Sequence, residues 1–235
     1  MQNVQVLRPA ASLDAESRTA FLNRVYVHLF GAVVAFTLIE VLLFKSGLAL
    51  PIARAMLGTS WLVVLGGFTI VSWIATHAAH RATSLGAQYA ALAAYVLAEA
   101  VIFLPLLVLA QVASHGGVIE SAALVTLLAF GGLTAVAFLT PTDFSFLGAA
   151  LKYAFVLALV LILAASVFGL QLGTFFSVAM VALAGGAILY DTSNVLRRYP
   201  EDRYVGASLE LFASVALMFW YVLRLFAAGS GAEGG

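Results

Sequence analysis

Two acids, Asp191 and Glu210, stand on either side of the most heavily charged loop in the chain, RRYPEDR (197–203), each close to an apolar run. A carboxylate at membrane depth is costly, so such acids face a cavity, find a partner or hold a proton. Like charges brought close together resist joint ionisation, so a facing pair can share one proton or hold a cation between them. Hard divalent cations such as calcium suit carboxylate oxygens. Two carboxylates are too few for a tight site, and the chemistry they allow is transient, low-affinity binding of the kind conduction requires. At 1.5 Å per helical residue, Asp191 lies about 9 Å in from the Arg197-Arg198 pair, below the surface yet within reach of it. Arg81, after a separate apolar run, is the natural counter-ion; a bridge from it to Asp191 would hold that end shut.

Three further acids fall in apolar runs, and they are not equally placed. Glu99 is near the middle of its run with no easy route to water, which makes it the better candidate for a cavity. Glu40 and Glu120 lie near run ends, where snorkelling to the interface accounts for them.

The elements that must carry these residues are membrane helices. Of the 235 residues, 63% are hydrophobic and 9% charged, with a mean hydropathy of +1.08, far from soluble composition. Apolar runs at about 25–44, 60–76, 88–110, 119–139, 151–170, 174–195 and 204–226 are each of spanning length, which predicts seven helices. Continuous runs of this length exclude a transmembrane barrel, whose strands alternate over about 10 residues. Turn residues separate the runs: Gly47 and Pro51, Ser84 and Gly86, His115-Gly116-Gly117, Pro141, 169–173 and Pro200. Residues 1–20 are polar and read as a flexible tail, 21–228 as one membrane domain, and 229–235 as a disordered end. Small residues in 87–100 and the Gly185-Gly186 pair suit close helix packing.

With the N-terminus in the cytoplasm, Arg8, Arg18, Arg24, Arg81, Lys152, Arg197, Arg198 and Arg203 lie inside, against Lys45, Arg54 and Arg224 outside. That bias predicts a cytoplasmic N-terminus and an external C-terminus. Eleven basic residues balance eleven acidic ones, so no basic surface recommends a nucleic-acid partner. Cysteine is absent, which removes thiolate catalysis and disulfides. His28, His77 and His80 all fall at run ends on one side, but no HExxH or GxSxG accompanies them, so the expectation is no enzyme and no cofactor. The last run has no lysine for a retinal Schiff base.

Three segments carry a resemblance: TDFSFLG (142–148), ILYDTSNV (188–195) and WYVLRLF (220–226). Together with the seven-run layout they resemble the Bax inhibitor-1 family in its bacterial YccA-like branch. The resemblance implies an all-α seven-helix bundle with the last helix central. It also implies a pH-sensitive calcium leak, or modulation of a membrane protease of the FtsH type, in a bacterial inner membrane. Its pH sensor is an acid pair with an arginine, which maps onto Asp191, a second position and Arg81. Counting back from Arg224, the second position falls on Ser214, and the nearest acid, Glu210, stands four residues earlier on the same helical face.

Overall fold

A computed structural model describes residues 9–81, 84–114 and 117–232. Among these the chain forms eight α-helices: α1 (Ala15–Lys45), α2 (Ala49–Leu57), α3 (Trp61–Arg81), α4 (Leu85–Ser114), α5 (Gly117–Leu139), α6 (Leu147–Phe168), α7 (Thr174–Arg197) and α8 (Tyr204–Ala232). All except α2 are long and apolar enough to span a bilayer. Their large exposed residues, such as Phe30, Trp73, Leu128, Val156 and Phe175, face where lipid tails would lie. The fold is an all-helical integral membrane bundle.

The sequence expectation leaves out α2, because Gly47 and Pro51 read as turn residues. Gly47 does make the turn, with φ of 76°, but Pro51 sits in the first turn of the nine-residue helix, where a missing N–H costs nothing. Residues 15–20, expected in a flexible tail, belong to α1. Asp14 caps it, accepting hydrogen bonds from the Ser17 N–H and hydroxyl, both at 2.9 Å. Before the cap, the Ala10 N–H donates to the Tyr199 carbonyl at 2.9 Å, and Pro9 bridges to Pro200, so this segment docks on the α7–α8 loop. His115 and Gly116 lie outside the described residues.

α8 is the centre of the bundle, packing on α1, α3, α4, α5 and α7. Its small residues allow this: a Cβ on Gly206 would come within 3.1 Å of the Ala79 carbonyl oxygen on α3, so the two backbones approach closely there. The core around it is aromatic as well as aliphatic, with Phe103 of α4 stacked on Phe219 and edge-on to Trp220. α6 is placed differently. It rests chiefly on α7 and touches the edge of α3.

Candidate functional site

The short segment between α5 and α6 and the end of α7 form a clasp. Asp143 accepts from the Ser145 N–H at 3.0 Å and from the Ser193 hydroxyl at 3.1 Å, while the Ser193 hydroxyl oxygen accepts from the Phe144 N–H at 3.1 Å. Arg197 donates to the carbonyls of Pro141 and Thr142, and Arg198 to the Ser145 hydroxyl. The Ser145 amide, then its hydroxyl, hold the Asp143 carboxyl below the usual carboxylate range. One residue past this loop, Gly148 lies flat against Tyr190; a Cβ there would be 2.7 Å from Tyr190 Cε2. Two segments far apart in sequence, 142–148 and 188–195, are thus a single structural unit.

That unit fixes the end of α7 and so the position of Asp191. Asp191 is 8% exposed and accepts from the Ser214 hydroxyl of α8 at 2.5 Å. Glu210, half-buried one turn along α8 from Ser214, is close enough for its charge to act on Asp191. Tyr95 of α4, one turn from Glu99 on its own helix, lines the same cavity as the acids. Glu99 is buried as well. Above them Tyr199, in the α7–α8 loop, is pushed well above the ordinary phenol range by burial, then by Glu210 and Asp191. Its phenol therefore stays neutral.

Because α6 leans on α7, a cavity of about 990 Å³ opens between α3, α4, α6, α7 and α8. Asp191, Glu210 and Ser214 line it near the α7–α8 loop, with Lys152 and Tyr190, and Glu99, at the middle of α4, lines it deeper in the bundle. Its middle is apolar, walled by Phe103, Leu106, Ile162, Met180, Leu217 and Trp220. At the other end Arg224 lines it and donates to the Leu172 carbonyl at 2.5 Å.

The structure brings together four of the five residues singled out from sequence: Asp191, Glu210, Ser214 and Glu99. Arg81 is not among them. It is exposed at the end of α3, does not line the cavity, and makes no ion pair with Asp191, whose hydrogen bond comes from Ser214 instead. Tyr95 and Tyr199 join the acids although sequence reasoning passed them over; a polar aromatic in an apolar run was the signal available for Tyr95. Glu120 is exposed, consistent with a helix-end residue, but Glu40 is buried inside the bundle rather than snorkelling outward. The histidines do not converge: His28 bonds Tyr89 at 2.7 Å and His77 stacks on Trp73, while the His80 side chain is outside the described residues. Among the described residues no three or more His, Cys, Asp or Glu gather as metal ligands. The acid cluster could hold a cation only through two or three carboxyls and intervening water.

Residues 18–231 match the family described as inhibitor of apoptosis-promoting Bax1. An uncharacterised protein of Pseudomonas aeruginosa is 34% identical over 119 residues, 49% of this chain and 52% of the relative. A BI1-like protein of Arabidopsis thaliana is 30% identical over 127 residues, 49% of this chain and 47% of the relative. The Arabidopsis thaliana protein LIFEGUARD 4 is 32% identical over 122 residues, 49% of each chain. These matches span about half the length of the curated relatives. The family match runs from the first helix through nearly all of the last, across the clasp and the acid cluster, and the chain belongs to the Bax inhibitor-1 family.

Proposed function

We propose that this chain is a pH-sensitive leak pathway for cations, calcium foremost, gated by Asp191 and Glu210 where α7 and α8 meet the charged loop. The observation that supports the reading is the cavity: buried Asp191 and half-buried Glu210 line one end, Glu99 lies deeper, and apolar side chains separate them from Arg224 at the other end. Acids that share protons attract a cation when ionised and lose that attraction when protonated. An apolar constriction then sets whether the ion passes. Glu99 extends the acid cluster towards the bundle centre and takes over part of the role that Ser214 cannot fill. Calcium is the cargo, held transiently by Asp191 and Glu210. In this reading the N-terminus is cytoplasmic in a bacterial inner membrane, and the chain is of the YccA-like branch.

Purified protein in liposomes is expected to pass calcium in a pH-dependent manner, and Asp191→Asn with Glu210→Gln to alter that dependence. Flux equal to that of empty vesicles at every pH would refute the leak.

A second reading is a non-conducting modulator of an FtsH-type membrane protease. It is favoured by Ser214, which stands where the resemblance expects a second acid, and by the N-terminal segment docked at the α7–α8 loop. Co-purification with the protease, lost when the N-terminal segment 1–13 is removed, supports it; a leak that persists without any such complex counts against it.

A further inference from the structure

Glu40 has no place in the cluster around Asp191, yet it is 7% exposed and neither carboxyl oxygen has a hydrogen-bond partner among the described residues. A buried polar group left unsatisfied is destabilising, so its partner is to be sought outside the chain. Glu40 lines a second cavity of about 550 Å³ between α1, α4, α5 and α8, within the usual range of ligand pockets. The cavity has a direction. Lys45 and Gln111 line it near the ends of α1 and α4, whereas Val33, Leu127 and Phe212 line it deeper in the bundle. Glu40 lies five residues in from Lys45, about 7.5 Å along the helix. Phe36, Phe44 and Phe219 line the same cavity.

We propose that this groove binds an aminophospholipid from the leaflet on the Lys45 side, its primary ammonium on Glu40, its phosphate on Lys45 and one acyl chain along the groove towards Phe212. The acid and the base match the two charges of the headgroup, and the apolar depth matches the chain. The carboxyl oxygens call for N–H donors. A primary ammonium supplies three, whereas a quaternary choline supplies none.

The test is native mass spectrometry of the full chain released from vesicles of phosphatidylethanolamine, phosphatidylcholine or phosphatidylglycerol. Phosphatidylethanolamine is expected to bind about tenfold better than phosphatidylcholine, the size of one charge-assisted hydrogen bond. Glu40→Gln should erase that preference, and Lys45→Gln should weaken both phosphatidylethanolamine and phosphatidylglycerol. Equal retention of the ethanolamine and choline lipids by the unaltered protein overturns the proposal, as does a preference that survives Glu40→Gln. Should Glu40→Gln fail to fold, Ala123→Phe narrows the groove and leaves Glu40 in the chain. Loss of the preference then supports the site, and its persistence overturns it.

Discussion

The Ser214 hydroxyl donates to the Asp191 carboxyl across the interface of α7 and α8, and both residues are buried. A hydroxyl, not a second acid, thus makes this contact from α8. Ser214 ties the two helices together whatever the charge on Asp191, because a carboxyl accepts a hydrogen bond in either protonation state.

Ser214→Ala removes that donor from a buried acceptor and is expected to destabilise the bundle by about 1–2 kcal/mol. Thermal unfolding in detergent reads this as a lowered midpoint. Asp191→Asn keeps an acceptor oxygen for Ser214 and should lose less than Asp191→Ala.

Gly148 and Tyr190 form a second pair whose coupling can be measured. Gly148→Ala forces a methyl against the Tyr190 ring, at an expected loss of about 1–3 kcal/mol. Tyr190→Phe keeps the crowding ring carbon and gives no relief, whereas Tyr190→Leu makes room. A double-mutant cycle should therefore return non-additive stabilities for Gly148→Ala with Tyr190→Leu and additive ones with Tyr190→Phe.

The clasp carries a pH signature. The Asp143 carboxyl titrates below its ordinary value because the Ser145 amide, the Ser145 hydroxyl and Ser193 favour its ionised form. A carboxylate depressed in the folded state stabilises that state above its unfolded value of about 4 and loses the contribution as pH falls through the folded value. The stability difference between the unaltered protein and Asp143→Asn should hold constant from neutral pH down to about pH 5, then shrink on further acidification. A difference that grows on acidification would contradict the assignment.

Docking of the N-terminal segment predicts a local effect on exchange. Deleting residues 1–13 removes the Ala10 donor from the Tyr199 carbonyl and the bridge to Pro200. Amide hydrogen exchange of residues 198–203 should quicken, while the middle of α8 stays protected.

Seven of the eight helices were legible because lipid demands long unbroken apolar runs, and the chain supplies them. The same uniformity hid the rest. Helices apolar on nearly every side carry little sign of which face turns inward, so Glu40 could be placed near a helix end but not recognised as pointing into the bundle. For Arg81 too, position along a helix is legible and direction around it is not; it stands exposed at the end of α3. The acid cluster was more readable, since Glu210 and Ser214 are one turn apart on α8 and Asp191 stands across the one loop that joins α7 to α8. The clasp had no local signal, because Asp143 meets Ser193 and Arg198 across some fifty residues of intervening helix.

α6 is fastened at both ends and rests between them chiefly on one helix, α7. Gly148 against Tyr190 and the Asp143 clasp fix its start; at its finish the left-handed Gly169 turns the chain towards Leu172, which Arg224 holds. A strut pinned in this way bows at its middle rather than swinging from one end. The cavity beside it would therefore change width at its waist, near Ile162, while both mouths keep their shape.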